Sequence, residues 1–291
     1  MATRTSRARA TSRGLGCLLL ALALVVGVGV LGVRALQDQG LAGPVPGQER
    51  CVVTAGGRSV VLEPEQAELT SIIVGLSVRR GLAPRAASIA MATVFQETGI
   101  RNLDYGDRDS VGLFQQRPSQ GWGTPEQLQD PYYATGKFYD ALVKVPDWEN
   151  GDINDVAQRV QRSGFPEAYR DHEADARVLA SALTGQSRAA ISCLDRSGTA
   201  GAPAALATSL TRTFGQVTPR RDGALVTVRA GSTAAAWAYA HHAVANAARF
   251  GVVEVQAGDR RWRTDGSALP GWTALEPAVG RTVRITLRPA G

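Results

Sequence analysis

From residue 64 onward, apolar positions recur at three- and four-residue steps, and each recurrence opens on a proline or a helix-capping residue. Pro64-Glu65-Gln66 starts a helix with Leu69, Ile72, Ile73 and Leu76 on one side, ending near Gly81 and Pro84. The next carries Ile89, Ala90, Val94 and Glu97 near one face and stops at Thr98-Gly99. Thr124-Pro125-Glu126 and Asp130-Pro131 mark two further starts, the second leading into Tyr132, Tyr133, Phe138, Tyr139 and Leu142. Asn154-Asp155 opens a helix with Val156, Val160 and Gln161, and Pro166 opens the last, through Tyr169, Val178, Leu179 and Leu183 to Gly185. Residues 64–185 are therefore expected to be nearly all helix, broken by one polar, Gly-containing loop. A short strand-like run at 59–62 precedes them.

The period changes beyond Cys193. An Ala/Gly/Ser/Thr tract marks a linker at 194–222, and 223–291 reads as a small α+β module. Its expected elements are a strand at 224–228, an Ala-rich helix capped by Ser232-Thr233 and running to Phe250, and strands at 252–256, 260–263 and 281–287. At the other end, residues 15–33 are wholly uncharged, about 28 Å of helix, behind four arginines. They are expected to form a transmembrane helix, with 1–14 a basic cytoplasmic segment, 34–50 a Gly/Pro/Gln linker and the rest outside the cytoplasm, at the cell membrane. A cleaved signal peptide and a secreted protein is the alternative, because Val33-Arg34-Ala35 is a passable cleavage site. A signal core of about 7 to 15 residues is shorter than this run. The expected fold class is thus a mostly α domain at 51–193, behind one transmembrane helix and ahead of a small α+β module.

Charge narrows the function. The formal net charge is +6, but 1–34 hold five arginines and no acid, and 200–291 hold eleven arginines and five acids, so the helical middle is acidic. That distribution argues against nucleic acid as a partner. Arg260, Arg261 and Arg263 cluster around Trp262 and make the last module a candidate contact for anionic wall polymers. Three histidines with no HExxH and no i, i+4 pair argue against a metal, and no GxSxG occurs. No cofactor is expected. Cys51 and Cys193 flank the helical region, so a disulfide between them would tie its ends together outside the cytoplasm; two buried free thiols are the alternative.

The chemistry concentrates between Arg85 and Gln116. Glu97 closes a helix whose same face is apolar, and partial desolvation raises a carboxyl's pKa toward what a general acid near neutral pH requires. Asp104, Asp107 and Asp109 follow in a loop, then Gly112-Leu113-Phe114-Gln115, whose first residue lies fifteen positions after Glu97. This arrangement resembles the lysozyme-like superfamily, in particular soluble lytic transglycosylases and goose-type lysozymes, over about 64–185. Those families close a helix with Glu-Ser, where Glu97-Thr98 stands here, and line the sugar cleft with a Gly-Leu-Met-Gln turn. Tyr105-Gly106-Asp107-Arg108 is similar to the Gly-Asp-Arg stretch of goose-type lysozymes, whose Asp assists the attacking water. The Ala-Tyr-Asn segment of many lytic transglycosylases is missing; Val160-Gln161-Arg162-Ser163 is its nearest counterpart. The resemblance implies cleavage of peptidoglycan glycan strands at the MurNAc-GlcNAc β-1,4 bond, by a lytic transglycosylase or muramidase. Glu97 would be the general acid, Asp107 the residue that positions water, and Gln115, Tyr105 and Gln161 would contact sugar. A silent wall-binding or envelope-assembly protein is the alternative.

Overall fold

In the computed structural model, which describes residues 48–163 and 167–289, the first helix is α1 (Pro64–Arg79). Its start is closed by Gln66, whose side-chain oxygen accepts from the Glu63 N–H at 2.8 Å, with Pro64 in the first turn where no N–H is needed. The Gln66 amide in turn donates to the Gly99 carbonyl at 2.8 Å, which ties the start of α1 to the end of α2 (Pro84–Thr98). Two short helices follow, α3 (Pro125–Leu128) capped by Thr124 and α4 (Pro131–Leu142) capped by Asp130, as their sequence signals required. The next, α5 (Ile153–Gln161), is capped by Asp152, two residues ahead of the expected Asn154 start. The last expected helix begins later than Pro166: a tight turn at Arg170–His172 leads into α6 (Glu173–Leu183), leaving Tyr169 outside the helix. Residues 164–166 lie outside the described residues. Alanines on both partners, Ala86, Ala87 and Ala90 on α2 and Ala176 and Ala180 on α6, are buried and let these two helices pack closely.

The expected architecture, a mostly α domain behind a membrane helix, is corrected in two respects. The described residues form two antiparallel sheets, of three and six strands. In the first, β1 (Arg50–Ala55) and β2 (Arg58–Leu62) make a hairpin, and β3 (Ile191–Leu194) pairs with the other edge of β1. The hairpin turn is Gly56-Gly57, both at positive φ (58° and 78°), which a two-residue turn matched to strand twist requires. Cys51 pairs with Cys193 across β1 and β3, and the two form a disulfide, as expected. Secondly, no helix among the described residues is long and apolar enough to cross a membrane. Residues 15–33, the expected span, lie outside the described residues, with the rest of 1–47.

The second sheet has strand order β4-β5-β9-β6-β7-β8, from β4 (Arg220–Asp222), β5 (Leu225–Arg229), β6 (Val252–Gly258), β7 (Arg260–Arg263), β8 (Trp272–Ala274) and β9 (Gly280–Leu287). Helix α8 (Thr233–Ala245) lies against β6 and β9 on one side and against α1 on the other. Every residue from Ala236 to Ala245 is buried, because a helix apolar on all sides needs cover all round. The region expected as a linker holds α7 (Pro203–Phe214), whose Leu206, Leu210 and Phe214 form one buried stripe. Helix α7 meets α1 at Gly75, where a Cβ would fall 2.2 Å from the Thr213 methyl. After α8 the chain turns through the short α9 (Ala247–Phe250) into β6. Glu49–Gly291 accordingly makes one compact unit.

Candidate active site

Glu97 is placed by the way α2 stops. Gly99 takes the left-handed conformation (φ 60°, ψ 34°), and the N–H groups of Gly99 and Ile100 return to the Phe95 and Val94 carbonyls at 3.0 and 3.1 Å. Ile100 also sits at φ 60°, a costly region for a β-branched residue, and complete burial of its side chain holds it there. The Thr98 hydroxyl lies 3.1 Å from the Val94 carbonyl and 3.0 Å from the Leu113 carbonyl, sharing its proton between them. Thr98 thereby docks the Gly112–Gln115 turn on the end of the helix that carries Glu97. The turn is also pinned from below, where the Phe114 ring stacks on Phe138 of α4 at 4.6 Å.

Around the Glu97 carboxyl two donors converge on one oxygen. The Tyr169 phenol donates to Oε1 at 2.8 Å, and the Gln161 amide nitrogen donates to the same atom at 3.2 Å and to the Phe114 carbonyl at 2.8 Å. Burial pushes the Glu97 pKa above the usual carboxylate value, against the opposing pull of the hydrogen bonds from Tyr169 and Gln161. Burial, and then the neighbouring carboxylate, pushes the Tyr169 pKa up as well, so the phenol stays protonated and remains the donor. With Oε1 held by two donors and no partner on Oε2 among the described residues, Oε2 is the oxygen able to carry and release a proton. Chemically the arrangement is one half-buried carboxyl, with its pKa raised by burial and its orientation fixed by two donors.

The other residues singled out in the sequence are only partly gathered. Gln161 is in the network, although its α5 segment departs from the Ala-Tyr-Asn pattern. Gln115, at φ 48°, sits on the same turn, and its amide nitrogen lies 3.2 Å from the Tyr105 carbonyl and 3.3 Å from that of Gly112. Gly106 lies directly over it: a Cβ there would fall 1.9 Å from Gln115 Oε1. The Tyr105 side chain stands in solvent, 68% exposed. Asp107 is 90% exposed, with Arg108 as its ionic neighbour at 3.9 Å, and makes no described contact with the Glu97 network. The organised acid of the loop is Asp109. It accepts from Arg117 at 2.8 Å and from the Ser119 N–H and hydroxyl at 2.7 and 3.0 Å, which hold its carboxyl well below the usual range. Asp109 ties the loop to the turn at Pro118–Gln120, and Asp104 remains exposed.

Among the described residues no group of His, Cys, Asp and Glu is set to hold a metal. No protein-family model matches this chain, and no curated protein matches it. The residues of this candidate site whose part in it sequence reasoning missed are Tyr169 and Thr98. Tyr169 was assigned to a helix interior; the signal against this was the Gly164-Phe165-Pro166 breaker just before it. Thr98 was marked only as the counterpart of the family's Ser beside the acid; its contact with the Leu113 carbonyl is made only when the distant turn folds back.

Proposed function

We propose that this chain cleaves peptidoglycan glycan strands at the MurNAc-GlcNAc β-1,4 bond, with Glu97 as general acid, outside the cytoplasm, where the disulfide of Cys51 and Cys193 persists. The observation that carries this reading is the Glu97 carboxyl itself: raised by burial, with Oε1 held by Tyr169 and Gln161 and Oε2 left to act. The likeness of Glu97-Thr98 and Gly112-Leu113-Phe114-Gln115 to the lysozyme-like pattern supports it.

Glu97 Oε2 gives its proton to the glycosidic oxygen as the C1–O bond breaks, its electron pair going to the departing sugar and leaving an oxocarbenium-like carbon. The two donors on Oε1 stabilise the carboxylate so formed. The muramoyl C6 hydroxyl then closes on C1, and its proton returns to Glu97, giving an anhydro sugar. The single carboxyl in the network favours this ending over attack by water assisted by Asp107, which stands open to solvent. Gln115 and Tyr105 are the proposed sugar contacts at the mouth of the turn.

The test is solubilisation of purified peptidoglycan by the full chain, with mass spectrometry of the fragments. Fragments one water lighter than reducing products are expected, and Glu97→Gln should release them about 10³-fold more slowly while keeping its thermal midpoint. Undiminished release by Glu97→Gln would overturn the proposal. Pelleting of the wild-type chain with the wall, without release, would instead make it a silent glycan-binding protein.

A further inference from the structure

The six-stranded sheet has two unlike faces. One is apolar and covered, with Val226, Val228, Val255, Val283, Ile285 and the fully buried Trp262 turned toward the interior. Trp262 is therefore no part of a surface cluster with its neighbouring arginines; its indole N–H donates to Ser192 at 3.0 Å. The other face is polar, and register fixes what stands on it. Arg220 pairs with Thr227, Thr227 with Arg284, Arg284 with Gln256, Gln256 with Arg261 and Arg261 with Thr273. Residues directly opposed across antiparallel strands share a face, so these six form one row across all six strands.

The row carries an arginine on every second strand. At strand spacings of about 4.8 Å, Arg220, Arg284 and Arg261 stand roughly 10 Å apart. Arg229 extends the same face beside Thr282. None of these four arginines has a carboxylate partner among the described residues. The acids of the face, Asp222 and Glu254, stand in the neighbouring row three strands apart, with Leu225 and Thr286 between them, and Glu254 is engaged there by the Gln256 amide at 2.7 Å and by Arg263 at 3.8 Å.

We infer that this face binds a linear phosphodiester polymer with a polyol or sugar backbone. Its unneutralised cations are arranged along a line and interleaved with threonine and glutamine groups able to hydrogen-bond phosphate and hydroxyl oxygens. It presents no aromatic ring on which a base would stack and no large exposed apolar side chain to enter a lipid layer. The chain's own residues 1–47, with five arginines and one aspartate, have the wrong sign to cover it. The inference is independent of Glu97 chemistry.

The experiment titrates poly(glycerol phosphate) into the full chain, with inorganic phosphate, oligo(dT) of matched charge and anionic phosphatidylglycerol vesicles in parallel. Saturable binding to the polymer is expected, weakening at least tenfold between about 50 and 200 mM salt. The triple variant Arg220→Gln, Arg261→Gln, Arg284→Gln should bind about tenfold or more weakly at an unchanged thermal midpoint. Arg221→Gln, whose side chain leaves the opposite side of β4, should bind as wild type, and so should Glu97→Gln. Equal affinity of the triple variant, or no polymer binding by the wild type, overturns the inference. So does oligo(dT) or vesicle binding that matches the polymer and is lost in the triple variant.

Discussion

Glu97 and His241 are both withdrawn from water, and burial drives both toward the uncharged form, the carboxyl upward and the imidazole down to about 4. Their surroundings then part company. Glu97 has one oxygen occupied by Tyr169 and Gln161 and the other open, so a proton can come and go without breaking the network. His241 has both nitrogens occupied: Nδ1–H donates to the Ala182 carbonyl at 2.7 Å, and Nε2 accepts from the Ala190 N–H at 3.2 Å. A proton on Nε2 would face a donor. Burial therefore makes an acid usable in the first place and makes a rivet in the second, joining α8 to the end of α6 and the start of β3. Burial by itself is no mark of a catalytic group.

The most severe way to break the comparison is Glu97→Gln. Glycan release should fall by about 10³-fold, the scale of a lost general acid, while the amide keeps an oxygen for Tyr169 and Gln161. Next is His241→Leu, which fills the space but orphans the buried Ala190 N–H, while the Ala182 carbonyl keeps the Gly185 N–H at 2.9 Å. A loss of about 2–4 kcal/mol in denaturant unfolding is expected, with turnover per folded molecule unchanged. A fall in turnover without a fall in stability would reverse the assignments.

Stability against pH sharpens the contrast, because the two kinds of group act with opposite sign. His241 and His242 both have folded pKa values lowered from 6.5 to about 4, so the unfolded chain binds more protons between those values. Their contribution is full above 6.5 and is lost as pH falls toward 4, with a slope approaching about 1.4 kcal/mol per pH unit for each. Glu97, raised from 4.5, contributes stability below that value and loses it as pH rises through its folded pKa. Chemical denaturation at stepped pH should show the histidine decline in the wild type, reduced in His241→Leu. The smallest expected effect is that of Tyr169→Phe. Removing a donor that lowers the Glu97 pKa should move the alkaline limb of the activity profile upward, with about a threefold to tenfold loss of rate as the carboxyl loses its orientation.

Much of the helical region was legible because its signals are local. Pro64, Pro125 and Pro131 each open a helix where a proline in the first turn costs nothing, and Gly99 ends one where only a left-handed residue fits. The pairing of Cys51 with Cys193 was readable from its flanking positions. The β1–β2 hairpin was missed although Gly56-Gly57 announced it, since β2 was taken alone as a strand-like run. Helix α7 was lost in an Ala/Gly/Ser/Thr tract whose composition hid the stripe of Leu206, Leu210 and Phe214.

What the amino-acid sequence determined by itself was the ends of several helices and one chemical wager: where a proline or cap opens a helix and a glycine closes it, and that an acid sits at the end of an apolar helical face. Those follow from neighbours within four residues. Only the tertiary structure decided that Tyr169 and Gln161 reach Glu97 while Asp107 stays in solvent, that α8 is wedged between sheet and α1, and that Arg220, Arg261 and Arg284 stand in one row. Each of these depends on a distance between segments far apart in the chain, set by strand register and by how closely helices pack, and no local pattern of residues encodes it.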